Sequence, residues 1–127
     1  MSHITKVKTL LKDGLVLRRT LQKLGYCVGD GGSATGPRRL KETRNIEFLA
    51  GQNGLWLGFR RGKEDEPYEM LADWDRQRKS QEKVLGEIHQ VYSQEKILDL
   101  ARVKGYAVTK NSVNGKGQIE MVLRKIG

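Results

Sequence analysis

Gly29, Gly31, Gly32 and Gly36 run directly into Pro37, Arg38, Arg39, Lys41 and Arg44. Backbone freedom is therefore placed beside concentrated positive charge. Two phosphate chemistries use glycine in this way. The dinucleotide fingerprint Gly-x-Gly-x-x-Gly/Ala is met in spacing by Gly29, Gly31 and Ala34, but it works by setting a pyrophosphate at the N-terminus of a following helix. Here Pro37 and a polar run lead into alternating Ile46 and Phe48, a strand pattern. A Walker loop is suggested by Gly31 and Gly36, yet Pro37 and Arg38 stand where Lys and Ser or Thr are required. Neither nucleotide reading survives. What remains for residues 29–45 is a flexible glycine-rich connector whose basic half either contacts phosphate, as arginine does bidentately, or is simply solvated.

A second cationic stretch is Arg60 and Arg61, which follow Trp56 and Phe59 on one predicted strand. Phe59 shares a face with Leu55 and Leu57 and reads as core. Trp56 is on the opposite face, where it could stack on bases or pack under a helix. The candidate anion- or nucleic-acid-binding set is thus Arg38, Arg39, Lys41, Arg44, Trp56, Arg60 and Arg61. Arg76, Arg78 and Lys79 form a third basic cluster at the start of a long helical segment, where positive charge opposes the helix dipole and a bound anion would relieve it.

Other chemistry finds less footing. His3 and His89 have no His or Cys partner at metal-ligand spacing, and His89 is expected on an exposed helix face. Cys27, between Tyr26 and Val28, is expected to be a buried thiol; a single cysteine allows no internal disulfide. Glu64, Asp65, Glu66, Glu69, Asp73 and Asp75 form an acidic island without EF-hand spacing. Glu69, Leu71 and Asp73 alternate together and predict a polar, solvent-facing strand edge that could meet a basic patch on a second subunit. No catalytic constellation, cofactor or metal site is predicted.

The elements that must position these groups follow from periodicity. Residues 3–10 read as a short strand, with Ile4, Val7 and Thr9. Asp13 is a candidate N-cap for a helix over 13–24, with Leu17, Leu21 and Leu24 on one face and Gly25 as its terminator. Tyr26 to Val28 begins a strand. The runs 45–51, 55–59 and 68–74 form a meander, with Asn53-Gly54 as a type I′ turn between the first two. Residues 80–104 are helical, as one helix or two broken near Ser93. A last hairpin turns at Asn114-Gly115, with Ile119, Met121 and Leu123 inward. "LQKLGYCV" and "ARVKGYAV" repeat one local pattern of helix end, glycine, tyrosine and strand. The reading is α+β: an antiparallel sheet of about five to seven strands with two helical segments packed on one face, in a single domain over 1–127.

The 127-residue chain carries a net charge of +9. That charge is +8 over residues 1–61, −5 over 62–75 and +6 over 76–127. A basic domain with one acidic island points to an anionic partner. No apolar run approaches the roughly 20 residues that span a bilayer, so no membrane role is expected.

Several of these residues, in order, carry a resemblance. They are Met1-Ser2-His3, Leu24-Gly25-Tyr26, "LGFRRG" at 57–62, "YEMLAD" at 68–73, "VKGYAV" at 103–108 and "GQIEMVLRK" at 117–125. The series resembles the hypothetical chloroplast reading frame thirty-five family of algal plastids and cyanobacteria. The resemblance implies a compact α+β domain and brings no reaction with it. Together these readings lead to a small basic accessory protein, non-enzymatic, engaging an anionic partner such as single-stranded RNA or DNA. It would work in the cytoplasm, or in the plastid stroma if plastid-encoded. The alternative is a protein-interaction or self-assembling subunit that uses the acidic 64–75 strand and the long helix, with no nucleic acid.

Overall fold

The structure, a computed structural model, describes residues 4–31, 37, 40, 45–75 and 77–126. Its elements in chain order are β1 (Ile4–Lys8), α1 (Gly14–Lys23), β2 (Cys27–Asp30), β3 (Ile46–Gln52), β4 (Leu55–Arg60), β5 (Glu69–Asp73), α2 (Gln81–Val103), β6 (Tyr106–Val113) and β7 (Ile119–Lys125). The first five strands form one antiparallel sheet in the order β1-β5-β4-β3-β2. β6 and β7 form a separate two-stranded ribbon. The α+β class is as expected from the sequence. The expected single sheet is divided, because the last hairpin pairs only with itself.

Strand alternation sorts the sheet into two apolar faces. Phe48, Ala50, Leu57, Phe59, Met70 and Ala72 point to one, where Leu17 and Leu21 of α1 and Val84 and Ile88 of α2 cover them. Leu49 and Leu71 point to the other and are buried with Leu40. Both helices start as their sequences ask. The Asp13 carboxylate accepts from the Val16 amide, and the Ser80 hydroxyl accepts from the Lys83 amide. The repeated Gly-Tyr pattern marks two helix ends of the same kind. Gly25 (φ 94°) and Gly105 (φ 77°) both take the left-handed conformation that stops a helix and turns the chain into a strand.

α1 is bound to α2 by an ion cluster as well as by its apolar stripe. The Arg19 Nε donates to Glu95 Oε1 at 2.7 Å, Lys23 Nζ to Glu95 Oε2 at 2.8 Å, and Arg19 Nη2 to Asp99 Oδ2 at 2.9 Å. Glu95 is almost fully buried. α2 is a single helix with no break at Ser93. The ribbon packs along it, with Gln90 Nε2 donating to the Gly117 carbonyl and Gln94 to Asn111. The ribbon turn spans Asn114 to Gln118 and is not a two-residue turn. The Asn114 side chain accepts from the Lys116 and Gln118 amides, and Gly117 carries the positive φ. Of the predicted inner face, Ile119 and Met121 are half-buried and Leu123 is exposed.

Three other expectations are corrected. The acidic strand is not an edge: β5 lies between β1 and β4 with both backbone sides paired, and Leu71 is fully buried between its acidic neighbours. His89 is half-buried, and burial pushes its pKa down. Cys27 is exposed, because β2 is an outer strand and Cys27 points away from the helix-covered face that takes Tyr26 and Val28. An aromatic disulfide reagent should therefore titrate one thiol in the folded protein, without denaturant. Reaction only after unfolding would contradict this placement.

Candidate functional site

The predicted site residues fall into three groups. Arg38, Arg39, Lys41 and Arg44 lie outside the described residues. Trp56 points to the second face of the sheet, half-buried, with its ring over Gly51 and against Leu40, Leu49 and Leu71. It is part of the wall of that face. Arg60 and Arg61 leave the end of β4 and come together at the rim of the sheet.

The two arginines are held by different partners. Arg60 lies in a cross-strand row, opposite Glu69, which is itself opposite Lys8. Its Nε and Nη2 approach Glu69 Oε1 at 2.8 and 2.7 Å. Arg61 turns toward the other face. Its guanidinium lies 4.3 Å from the centre of the Tyr68 ring. Its Nη1 donates to the carbonyls of Lys12, at 2.7 Å, and Glu64. Its Nε approaches Glu47 Oε1 at 3.4 Å.

Glu47 is available for this because of a bulge. Ile46 is opposite Arg60 and Phe48 is opposite Phe59, so Glu47 is the extra residue on β3. A bulge frees a side chain from strict alternation. The Glu47 carboxylate accepts a hydrogen bond from the Tyr68 hydroxyl. Tyr68 is fully buried and meets Phe48 and Phe59 edge-on, at 5.5 and 6.3 Å between ring centres. Burial and then the Glu47 hydrogen bond and charge raise its pKa, with Arg61 and Arg18 opposing. The phenol stays protonated at neutral pH and acts as a donor. Gly14, at the start of α1, permits this approach: a Cβ there would lie 2.5 Å from the Tyr68 oxygen. Arg18 closes the cluster, 4.6 Å over the Phe48 ring and 3.3 Å from Asp30.

Two clefts open on this cluster. One, of about 390 Å³, is lined by Lys8, Asn45, Arg60 and Arg61 together with Glu66 and Glu69. The other, of about 530 Å³, is lined by Lys12, Asp13, Arg18, Glu47 and Arg61 among others. In the first, the exposed side chain of Lys8 has no ion pair or hydrogen bond among the described residues, so its charge is the one left over there. The chemistry such a rim offers is anion contact: two guanidiniums fixed by internal carboxylates, and a free ammonium. Among the described residues no group of three His, Cys, Asp or Glu side chains could hold a metal ion. No described helix is long and apolar enough to cross a membrane.

Sequence reasoning reached Arg60 and Arg61 and missed Lys8, Asn45, Glu47 and Tyr68. Lys8 enters only because β1 pairs with β5, a long-range choice. Glu47 enters only through the bulge. Tyr68 was legible as core, and its hydroxyl partner was not.

The fold and the rim define a small antiparallel α+β protein with a cationic cleft at one end of its sheet. The chain belongs to the family described as "Protein of unknown function (DUF1257)", which matches residues 20–122. It is also 28% identical over 133 residues to "Uncharacterized protein ycf35" of Cyanophora paradoxa, covering 98% of each chain. The resemblance drawn from the sequence is to this same group. No solved structure matches the chain significantly.

Proposed function

We propose that this protein is a non-enzymatic binding protein that engages single-stranded nucleic acid through the cationic cleft at the end of the sheet. The observation that carries the reading is the meeting of Lys8, Arg60 and Arg61 at one opening. Asn45 lines the same opening, and Arg38, Arg39, Lys41 and Arg44 precede it within seven residues of sequence. Fixed guanidiniums suit phosphate geometry. A net charge of +9 favours association with a polyanion. The proposed setting is the cytoplasm, or the plastid stroma for a plastid-encoded copy.

The test is a fluorescence anisotropy titration with a labelled single-stranded oligonucleotide at low salt. Affinity should fall as salt rises, since each neutralised phosphate releases counterion. Lys8→Glu removes one contact and adds repulsion. It should weaken binding about tenfold and leave the fold intact, because Lys8 is exposed on an outer strand. No binding at low salt, or equal affinity of Lys8→Glu and the unaltered protein, would defeat the proposal.

A further inference from the structure

At the opposite end of the sheet lies a groove of about 480 Å³. Its walls come from three places: Tyr26 where α1 passes into β2, Gln52 and Asn53 at the β3–β4 turn, and Gln77, Arg78 and Lys79 just before α2. The volume is in the range of small-molecule sites. The two clefts at the other end carry carboxylates among their lining residues, whereas the lining here has two cations and no acid. Lys79 is paired outside the lining, with Glu87 at 3.0 Å. Arg78 has no carboxylate partner among the described residues and is exposed.

The neutral groups are already oriented. Gln52 Nε2 donates to the Leu24 carbonyl at 3.1 Å, and Gln77 Nε2 donates to the Gly54 carbonyl at 3.4 Å. Both amides are thus tied to backbone on either side of the groove. Tyr26 brings an accessible donor to the groove. It is only 8% exposed and its ring belongs to the core, while its hydroxyl reaches water and has no hydrogen bond among the described residues. A phenol with an apolar body and a wet tip is open to a ligand's acceptor. Burial, and then the charge of Glu87, raise the Tyr26 pKa, so the hydroxyl remains a donor at neutral pH.

We infer that this groove binds a small phosphate monoester carrying an apolar group. Its phosphate would be held by the Arg78 guanidinium with Lys79, the Tyr26 hydroxyl would donate to it, and Leu55 with the Tyr26 ring would take the apolar part. Arginine and a nearby ammonium match a dianionic phosphate, and a donor phenol with no internal partner complements its oxygens. Positive charge just ahead of a helix N-terminus, unfavourable to the helix alone, is offset when the anion is present. The site is separate from the cleft of the proposed function and stands or falls independently of it.

The probe is phenyl phosphate, followed by amide chemical shifts of Asn53, Gln77 and Lys79 and by calorimetry, with neutral phenol as the control. Saturable binding with a Kd at or below about 1 mM is expected, with phenol inert. Arg78→Ala removes a charge-assisted contact and should weaken binding about tenfold. Tyr26→Phe keeps the buried ring and should weaken it about fivefold. Lys8→Glu should bind phenyl phosphate as the unaltered protein does. Absence of saturable shifts at these amides, undiminished binding by Arg78→Ala or Tyr26→Phe in folded protein, or equal binding of phenol would overturn the inference.

Discussion

Tyr68→Ala is expected to lower the unfolding free energy by about 3–5 kcal/mol, the usual range for deleting a buried aromatic ring. Against a typical domain stability of about 5–15 kcal/mol, that leaves the protein marginal. The ring is the hub of the rim. It packs edge-on against Phe48 and Phe59, carries the Arg61 guanidinium on its face, and donates its hydroxyl to Glu47. Its backbone ties the loop before α1 to β5, with the Tyr68 amide donating to the Leu11 carbonyl and the Thr9 hydroxyl donating to the Tyr68 carbonyl. Tyr68→Phe separates ring from hydroxyl. It retains the packing and strips one hydrogen bond from a carboxylate, for an expected cost of about 1–2 kcal/mol. Urea unfolding of the two variants reads both numbers. A Tyr68→Phe protein as stable as the original would show that the Glu47 contact contributes nothing.

Glu95→Gln should cost about 1–3 kcal/mol at neutral pH, with the penalty shrinking in acid. Burial by itself raises the Glu95 pKa, and hydrogen bonds and charge from Lys23 and Arg19 more than offset it, leaving the carboxyl below its ordinary value of 4.5. A depressed carboxylate contributes stability that is fully present above its unfolded pKa and is lost as pH falls through its folded pKa. Asp99 acts in the same direction, held below 3.8 by its hydrogen bond from Arg19. The figure for Glu95 stays below the 3–5 kcal/mol of a fully buried broken pair. The reason is exposure: the Arg19 and Lys23 side chains are 40% and 54% exposed and rehydrate when the partner changes. Urea unfolding of both proteins near pH 7 and about pH 3 tests this. The gap between them should be wide at the first pH and narrow at the second. A gap that widened in acid would mean that Glu95 is not an ionised clamp.

Those two residues also mark how far the sequence could be read. Local signals were legible because they are chemistry of neighbours. Asp13 capping α1, Asn53-Gly54 turning β3 into β4, and Gly25 and Gly105 stopping helices depend on a few adjacent residues. Alternation assigned Phe48, Leu57, Phe59 and Met70 to one face correctly. The misreadings concern pairing at long range. Glu69, Leu71 and Asp73 look like a wet edge until β1 covers that side and Leu40 covers Leu71. Cys27 looks buried until β2 proves to be an outer strand. Glu95 gives no sign on its own helix of the two cations that await it on α1. Of the candidate site, Arg60 and Arg61 were visible as a charge pair. Their separation onto two faces follows from strand alternation and the bulge at Glu47, and the company of Lys8 follows from topology.

The central claim concerns where an anionic chain would dock, and amide chemical-shift mapping with a single-stranded oligonucleotide tests it most directly. At low salt, shifts that grow with oligonucleotide and reverse with added salt should concentrate at Lys8, Thr9, Asn45 and Arg60 to Gly62, around the cleft. Shifts confined to the basic ribbon at Lys110, Arg124 and Lys125, or no shifts at any ratio, would contradict the account.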